Sequence, residues 1–397
     1  MTLDKIYQAA FTLKDVARKT DLIKAPLINP ESEIYLKTEN LQVTGSFKLR
    51  GAYNKISRLS PEEKKRGVIA CSAGNHAQGV ALAAARSGIH ALICIPDGAP
   101  ISKVEATRSY GAEVRLVPGV YDDAYREAFR LQKESGAVFI HPFDDEDVIA
   151  GQGTIGLEIL EQLPDADAIF VPVGGGGLVS GVAYAVKTLR PQCKVYGVQA
   201  AGAPSMVRAL RDKKIETLES VGTFADGIAV KCPGKLTYEL CSKYVDGMVT
   251  VTDDEIATAI LALIEQHKMI AEGAGAVSVA AAMFGKADIK GKKAVCLVSG
   301  GNIDVTILSR VINRGLIKEG RQGRLTIELT DRPGELKEVS AIIAGLGGNV
   351  ISVRHDRSGE ETNITACTLS IGVETRNRAH LNEIRSAIVK AGYRIIR

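Results

Sequence analysis

Four consecutive glycines, at residues 174–177, form the segment whose composition most directly indicates chemistry. They follow an apolar run over residues 168–173 and precede a helical pattern over residues 178–189, so bare backbone N–H groups cluster at the start of a helix. That arrangement is typical of a phosphate-binding loop. Because no Gly-Lys-Ser or Gly-Lys-Thr follows, the pattern disfavours a nucleoside triphosphate and indicates another phosphorylated ligand. A flexible turn is the alternative, although one or two glycines would be enough for it.

A lysine in the segment 44–52, Thr-Gly-Ser-Phe-Lys-Leu-Arg-Gly-Ala, is a second candidate. Lys48 stands between Phe47 and Leu49, where partial burial would lower the pKa of its ammonium and make the neutral amine available for a Schiff base. Most lysines at helix starts are solvated, so Lys48 alone does not decide between the two interpretations. The surrounding motifs favour the Schiff base.

The loop over residues 72–79, Ser-Ala-Gly-Asn-His-Ala-Gln-Gly, follows a buried strand pattern and leads into a helix. It presents hydroxyl, amide and backbone N–H groups at a helix N-terminus, an arrangement that suits a carboxylate. The alternative is structural: Ser72 or Asn75 is a simple N-cap, and His76 is a helix-start histidine whose hydrogen bonds are satisfied within the protein.

Short apolar strands alternate with alanine-rich amphipathic helices through most of the chain. This alternation predicts an α/β fold with mainly parallel sheets covered on both faces, and ligands beyond the carboxyl ends of the strands. Both the serine loop and the glycine loop occupy such ends. The predicted strands are residues 67–71, 91–96, 113–117, 168–173, 194–199 and 294–299.

The pattern changes near residue 313, where a polar, glycine-dotted stretch over residues 314–322 predicts a linker between a domain over 1–313 and one over 323–397. The second domain has the strand-helix-strand-strand-helix-strand order of a ferredoxin-like unit, and its small core favours docking or dimerisation. Its predicted elements are residues 324–329, 336–346, 350–354, 364–373, 379–391 and 393–396.

Bulk composition restricts the classes of partner. With 45% hydrophobic and 24% charged residues, 5% aromatics and a net charge of +4 over 397 residues, the chain reads as a soluble globular protein that does not bind nucleic acid. We expect no membrane insertion and no secretion, because neither a signal peptide nor a long apolar run is visible. The seven scattered cysteines never occur as Cys-x-x-Cys, which favours reduced thiols in a cytoplasm.

The order of five motifs resembles that of threonine dehydratases, which are fold-type II pyridoxal-phosphate enzymes. The motifs are the Lys48 segment, residues 72–79, residues 174–177, Glu-Gly-Ala-Gly-Ala at 272–276 and Ser-Gly-Gly-Asn at 299–302. The resemblance covers about residues 1–313. It implies two open, twisted, mainly parallel sheets, with a small subdomain of about residues 50–145 inserted in the larger one.

The resemblance also implies the site residues. Lys48 would bind pyridoxal 5′-phosphate covalently and move the substrate's α-proton, Phe47 would pack on the pyridine ring, and Asn75 would bond the ring's 3-oxygen. The Ser299 hydroxyl would face the pyridine nitrogen. Such a partner does not require a protonated ring, which favours loss of a β-substituent over transamination. The phosphate would lie on Gly174, Gly175, Gly176, Gly177 and Leu178, and the substrate carboxylate on Ser72, Ala73, Gly74, Asn75 and His76.

The implied reaction converts L-threonine to 2-oxobutanoate and ammonia, and L-serine to pyruvate. A dehydratase that prefers serine or hydroxyaspartate is one alternative. A catalytically silent amino-acid sensor is another, and the presence of Lys48 argues against it.

Two departures from serine racemases of the same fold carry information. Those relatives use a serine as the opposite-face acid/base at the position of Ala73, so we expect elimination to exceed racemisation. They also bind a divalent cation through carboxylates, whereas the matching segment 198–205 has no Asp or Glu. We therefore expect no metal site there.

Two further patterns are interpreted as structural. Residues 151–156 match Gly-x-Gly-x-x-Gly, but the acidic stretch 144–147 separates them from the preceding strand, so a dinucleotide site is disfavoured and helix packing explains the glycines. The acidic stretch itself is typical of a solvated helix start rather than a metal site.

In the second domain, the first strand-to-helix loop resembles the signature of ACT domains, regulatory modules that often bind amino acids. We expect isoleucine or valine as effector, with a nucleotide activator or a ligand-free oligomerisation role as alternatives, and a homodimer or homotetramer as the assembly. The loop residues are Asp331, Arg332, Pro333, Gly334, Glu335 and Leu336.

Overall fold

A computed structural model describes residues 1–357 and 365–396 of the chain. By its contacts the chain divides into an N-terminal unit, Met1–Ile307, and a C-terminal unit, Leu308–Arg397. All seven cysteines are free thiols. Within the described residues, none of the helices combines the length and apolar character that crossing a membrane requires.

The N-terminal unit contains two sheets with helices packed on them. Its strands are β1 (Leu22–Lys24), β2 (Glu33–Lys37), β3 (Val68–Cys71), β4 (Ala91–Pro96), β5 (Glu113–Val117), β6 (Val138–Phe139), β7 (Ala168–Pro172), β8 (Lys194–Ala200), β9 (Gly247–Val251) and β10 (Lys293–Leu297). Its helices are α1 (Leu3–Thr12), α2 (Lys48–Ser57), α3 (Pro61–Arg66), α4 (Asn75–Arg86), α5 (Ile101–Ser109), α6 (Tyr121–Ser135), α7 (Glu146–Gln162), α8 (Gly177–Leu189), α9 (Ser205–Asp212), α10 (Lys235–Tyr244), α11 (Asp253–His267) and α12 (Gly273–Met283), with short 3-10 turns at Glu39–Leu41 and Asp226–Ile228.

The larger sheet has the order β1-β2-β10-β7-β8-β9, and only its edge strand β1 runs antiparallel to its neighbour. The smaller sheet, β5-β4-β3-β6, is entirely parallel. Every residue of the central strand β7 is buried, as expected for a parallel strand covered on both faces. Helix α12, made mostly of glycine and alanine, is buried almost all round, which is typical of a core helix.

The Gly-x-Gly-x-x-Gly pattern lies inside α7, where it lets neighbouring helices approach closely. A Cβ on Gly151 would stand 2.6 Å from the carbonyl oxygen of Arg50 on α2, and one on Gly153 would stand 3.0 Å from that of Gly181 on α8. Both distances are too short for a side chain. The structure therefore confirms helix packing as the reason for these glycines.

The C-terminal unit has an antiparallel sheet of order β12-β13-β11-β14 among its described residues, with two helices packed on it. Numbered within the unit, the strand order is 2-3-1-4, the ferredoxin-like arrangement that the sequence predicts. Residue 364, the first of one predicted strand, lies outside the described residues. The elements are α13 (Val305–Lys318), β11 (Gln322–Thr330), α14 (Glu335–Gly345), β12 (Asn349–Asp356), β13 (Ala366–Glu374), α15 (Arg378–Lys390) and β14 (Arg394–Ile395).

Helix α13 extends over part of the segment interpreted from sequence as a linker, residues 314–322. The helix continues through residue 318 because Leu308, Val311 and Leu316 recur at helical spacing, and Val311 is buried. The domain limits at 313 and 323 remain a prediction.

Candidate active site

The candidate residues of the N-terminal unit follow the carboxyl ends of parallel strands. Residues 72–76 come after β3, residues 174–177 after β7, and Ser299 after β10. In open α/β sheets this edge is where ligands bind. Lys48 lies at the first position of α2, and the Phe47 N–H donates to the Ser299 carbonyl oxygen at 3.1 Å, so the lysine segment and the β10 end are in contact.

The Lys48 ammonium has a polar partner and an unusual pKa. Its Nζ donates to the Pro142 carbonyl oxygen at 2.8 Å and lies 5.4 Å from the centre of the Phe47 ring. Burial lowers the pKa of Lys48 to about 8, although the Glu272 carboxyl acts in the opposite direction. The desolvation argued from Phe47 and Leu49 in the sequence is thus present in the structure.

The glycine loop, residues 174–177, packs against the Phe143 ring and contains a residue with positive φ. A Cβ on Gly175 would come within 2.4 Å of the Phe143 ring, so only glycine fits beside that ring. Gly176 has φ of 100°, which strains any other residue, and it precedes α8. No side chain among the described residues caps α8, so its first N–H groups are free to bind a ligand.

A chain of side-chain hydrogen bonds crosses the site. Asn75 Nδ2 donates to Glu272 Oε1 at 2.6 Å, and Asn75 Oδ1 accepts from Asn302 Nδ2 at 2.8 Å. Asn302 Nδ2 also reaches the Thr44 carbonyl oxygen at 2.8 Å. These contacts fix which end of the Asn75 amide faces each neighbour, because the carboxylate accepts only from the nitrogen end.

Glu272 is a buried carboxyl whose proton affinity is high. It is 5% exposed, and a Cβ on Gly300 would lie 2.4 Å from Glu272 Oε1, so backbone encloses it closely. Burial raises the pKa of Glu272 to about 7, and the Asp226 carboxylate adds to the rise. The positive charges of Lys103 and Lys48 oppose it.

The loop at residues 72–76 is partly exposed except for one side chain. Residues 72–75 are partly exposed, and Ser72 Oγ accepts from the Gly74 N–H at 3.2 Å. The His76 ring is buried, with Nε2 2.8 Å from the Ile140 carbonyl oxygen. Burial lowers the pKa of His76 to about 3, so its imidazole is neutral and packed against the main chain. Of the two interpretations open from sequence, this geometry favours a structural imidazole.

The chain is similar to known proteins over most of its length. A family model for "Pyridoxal-phosphate dependent enzyme" matches residues 13–300. The chain belongs to this family. It is 54% identical to the L-threonine ammonia-lyase of Thermotoga maritima over 397 residues, 100% of this chain and 99% of that protein. It is 44% identical to the L-threonine ammonia-lyase of Geobacter sulfurreducens over 390 residues, 98% and 97% of the two chains.

Solved structures give the same result. The structure of the processed form of threonine deaminase isoform 2 from Solanum lycopersicum matches this pyridoxal-phosphate-dependent enzyme with a TM-score of 0.75 and 41% identity, over 80% of this chain and 90% of that chain. The family resemblance, the α/β fold class and the pyridoxal-phosphate cofactor expected from the sequence are confirmed.

The residues present fit that cofactor. The loop at 174–177 is a cradle that Cβ atoms would fill, and the bare N–H groups of α8 suit a phosphate. The Lys48 amine has the lowered pKa that attack on an aldehyde requires. Ser299, 2% exposed, has only a long contact of 3.4 Å from Oγ to the Ala274 carbonyl oxygen, so its hydroxyl can turn to a better acceptor.

The sequence did not indicate several residues that surround the candidate site of this pyridoxal-phosphate-dependent enzyme. Phe143 packs on the glycine loop, and Asp144 accepts from the N–H groups of Lys235 and Thr237 at 3.1 Å each, so it caps α10. Thr237 Oγ1 in turn donates to the Gly175 carbonyl oxygen at 2.6 Å. The acidic stretch at 144–147 indicated a helix start, but it did not indicate that Asp144 caps α10.

In segment 198–205, where the sequence predicts no metal, the Gln199 side chain forms hydrogen bonds within the chain. Gln199 Oε1 accepts from the Val207 N–H at 2.9 Å, and Gln199 Nε2 donates to Ser205 Oγ at 3.4 Å. The lack of a metal at this segment remains a prediction.

In the C-terminal unit, residues 331–334 connect β11 to α14, and Glu335 and Leu336 are the first two residues of that helix. Gly334 has φ of 106° and directly precedes the helix, which begins without a side-chain cap in the described part of the chain. Glu335 Oε2 accepts from the Tyr393 hydroxyl at 3.0 Å, and Asp331 pairs with Arg357 at 3.1 Å. The loop thus presents N–H groups at a helix start, as a carboxylate site requires.

Proposed function

We propose that this chain is an L-threonine ammonia-lyase, which converts L-threonine to 2-oxobutanoate and ammonia and L-serine to pyruvate. The observation that carries the proposal is the buried Lys48 amine, whose pKa burial lowers to about 8 and whose Nζ lies 2.8 Å from the carbonyl oxygen of Pro142, the residue before the Phe143 ring that packs on the glycine loop. The names of the two ammonia-lyase relatives support it. Pyridoxal phosphate, when bound, supplies an aldehyde that captures amines and a ring that withdraws electrons from the substrate's α-carbon.

Lys48 is the residue we assign to proton transfer at the α-carbon. With a pKa of about 8, about a tenth of the Lys48 amines are neutral at pH 7, some hundreds-fold more than for an ordinary lysine. A neutral amine can accept a proton, whereas an ammonium cannot. The Pro142 carbonyl oxygen, 2.8 Å from Nζ, orients the amine.

The loop at 72–76 is the group we assign to the substrate carboxylate. The start of α4 supplies N–H groups and a favourable dipole, and the partly exposed Ser72 hydroxyl can add a donor. His76 contributes its backbone rather than its ring, because the ring is buried on Ile140. A carboxylate bound there would place the α-hydrogen toward Lys48.

Four further roles complete the site. We assign the phosphate to residues 174–178, the 3-oxygen to Asn75 Nδ2, the pyridine nitrogen to Ser299 Oγ and ring packing to Phe47. Each group is held by the contacts described above: Phe143 behind the glycine loop, Glu272 and Asn302 around Asn75, and the main chain of Phe47 on Ser299.

Replacement of Lys48 tests the proposal. In Lys48→Ala we expect loss of the cofactor's visible absorbance band and a fall in 2-oxobutanoate formation of at least about 10³-fold, the scale of removing an acid–base group. Lys65→Ala, an exposed lysine of α3, is the matched control and should keep both. Full turnover in Lys48→Ala would refute the assignment, and equal turnover of serine and threonine would favour a broader dehydratase.

We further propose that the C-terminal unit is an ACT domain that regulates the enzyme, with isoleucine or valine bound at residues 331–336. The strand order of the unit and the uncapped start of α14 support this. A homodimer or homotetramer in the cytoplasm belongs to the same proposal. A thermal shift with isoleucine or valine, lost on truncation at Gly320, would support it, and no shift with any amino acid would remove the sensor role.

A further inference from the structure

Three side chains of the C-terminal unit that are distant in sequence bring metal-binding atoms together. The donor atoms of Asp331, His355 and Cys367 all lie within 4.8 Å of one another. His355 Nε2 and Cys367 Sγ are 2.9 Å apart. No sequence motif indicates this group, because its members are 24 and 12 positions apart and belong to different structural elements.

The sheet explains why these side chains meet. Strand β13, which carries Cys367, lies between β11 and β12. Cys367 is paired with Leu329, two residues before Asp331, and His355 is paired with Leu369, two residues after Cys367. Residues two apart on a strand share a face, so β13 and β12 place Cys367 and His355 on one face, and Asp331 follows directly after β11 at the same end of the sheet.

The surroundings of Cys367 argue against a reactive thiol. Cys367 is 1% exposed, and burial raises the pKa of its thiol, with the Asp331 carboxylate adding to the rise. A nucleophilic cysteine needs the opposite shift. The His355 ring nitrogen and the Cys367 sulfur are in hydrogen-bonding contact, whose direction depends on the tautomer of the ring.

We propose that Asp331, His355 and Cys367 form a binding site for Zn²⁺ or a similar thiol-binding divalent metal ion. One sulfur, one imidazole nitrogen and one carboxylate oxygen form a donor set that selects zinc over magnesium or calcium. With bonds of about 2.0 to 2.3 Å, tetrahedral ligand atoms lie about 3.3 to 3.8 Å apart. Each donor therefore has to move by less than about 1 Å to reach that geometry.

Charge and protons balance on binding. The thiol proton of Cys367 passes to solvent as the sulfur–metal bond forms, and the thiolate and the Asp331 carboxylate together neutralise the ion. The Arg357 guanidinium, 3.1 Å from one Asp331 oxygen, keeps the carboxylate oriented in the manner of an outer-shell partner. Three protein ligands leave the fourth position to water or to a ligand.

Metal binding would act on the loop that precedes α14. Asp331 is the first residue of the loop 331–336, and its N–H donates to the Thr365 carbonyl oxygen at 2.9 Å. An ion held by Asp331, His355 and Cys367 joins this point to β12 and β13. The site is therefore a structural clamp on the strand ends from which the loop begins, and it does not depend on the proposed function.

Metal titration of the full-length, cofactor-loaded enzyme tests the site. After removal of metals with a chelator, we expect one Zn²⁺ per chain, and Co²⁺ in its place should give visible ligand-field and thiolate charge-transfer bands. Cys367→Ser and His355→Gln should each bind Zn²⁺ at least about 100-fold more weakly than the wild type. A loss of that size exceeds what removal of an outer-shell partner causes. Cys232→Ser, which changes a partly exposed thiol in contact with Pro233, is the matched control and should bind normally.

Two results would overturn the site. One is a wild-type enzyme that does not bind one Zn²⁺ per chain. The other is a Cys367→Ser variant that binds Zn²⁺ as tightly as the wild type, which would identify the metal as adventitious. Circular dichroism of each variant separates loss of the site from loss of the fold. Threonine turnover of the variants reports on the proposed function independently, because none of the changed residues is assigned to catalysis.

Discussion

Asn75 Nδ2 donates to Glu272 Oε1 at 2.6 Å, although the two residues are 197 positions apart. The contact joins the first residue of α4 to the residue that precedes α12. Since Asn302 donates to the oxygen end of the same amide, the Asn75 side chain is held in one orientation, and its second N–H is the group that we assign to the cofactor. The charge on Glu272 therefore bears on how the site binds its cofactor.

The first prediction concerns pH. Because burial raises the pKa of Glu272 to about 7, with Asp226 adding to the rise, the carboxyl is ionised above pH 7 and protonated below it. The ionised form is the stronger acceptor for Asn75, so we expect kcat/KM for threonine to fall by about tenfold as pH drops from 8 to 6. Glu272→Gln should lose the inflection near pH 7, so that only the pH dependence belonging to Lys48 remains. Lys103 and Lys48, which also face Glu272, remain in the variant.

The cofactor's absorbance, recorded across the same pH range, checks whether Glu272 acts through the site rather than through folding. An unchanged inflection in Glu272→Gln would show that another group titrates. The inflection near pH 8 that belongs to Lys48 should persist in the variant.

The second prediction concerns the glycine loop. In Gly175→Ala the new methyl would lie 2.4 Å from the Phe143 ring, so we expect overpacking to cost about 1–3 kcal/mol of stability and to weaken cofactor binding. Gly98→Ala, at an open position, is the control. Adding Phe143→Ala should restore part of the cofactor affinity, measured by fluorescence titration. A double variant no better than Gly175→Ala would mean that the clash is not the cause.

The third prediction concerns the stereochemistry of the reaction. Ala73 is partly exposed in the substrate loop, and its methyl cannot deliver a proton. We expect Ala73→Ser to form D-serine from L-serine at a rate well above that of the wild type, measured by chiral chromatography. Ala73→Gly adds no hydroxyl and should show no gain. Equal racemisation in both variants would exclude a role for the serine hydroxyl.

The fourth prediction concerns a buried ion pair under α2. Arg50, 2% exposed, donates to Glu39 Oε1 at 2.8 Å and to Glu158 Oε1 at 2.6 Å. Arg50→Met leaves Glu39 buried without its partner, so urea denaturation at pH 7 should show a loss of about 3–5 kcal/mol. Arg108→Met, in the exposed pair with Glu105, should remain close to wild type.

The pH dependence of that loss has a definite sign. Burial would raise the pKa of Glu39, but the Arg50 charge and hydrogen bonds lower it below its usual 4.5. Stability from a lowered acid pKa is present above the unfolded value and disappears as pH falls through the folded value. The difference between Arg50→Met and wild type should therefore shrink in acid, and a constant difference would contradict the ion-pair account.

The sequence predicts the elements with long apolar runs best. The predicted strand at 91–96 matches β4 residue for residue, because Asp97 and Gly98 end its apolar run. The predicted strand at 113–117 matches β5 as well, although it contains Glu113 and Arg115. The sequence did not predict α13, which overlaps the segment interpreted as a linker, residues 314–322. Polar residues between Leu308, Val311 and Leu316 made their helical spacing hard to recognise. Local composition therefore predicts an apolar strand more reliably than it predicts a helix of mixed composition at a domain boundary.

The site could be predicted only where a motif is contiguous. The Lys48 segment, the glycine loop and the serine loop carry their chemistry within a few residues and fall at strand ends, as expected. The Asn75–Glu272 contact and the Phe143 packing could not be predicted, since folding alone brings those segments together. The same holds for the imidazole of His76, whose partner is a carbonyl group on another strand's end.

Reduction of the cofactor-loaded enzyme with borohydride, followed by peptide mass spectrometry, tests the central claim most directly. The account predicts a phosphopyridoxyl group on Lys48, and on no lysine in Lys48→Ala. A label on another lysine, or active enzyme that carries no label, would contradict it.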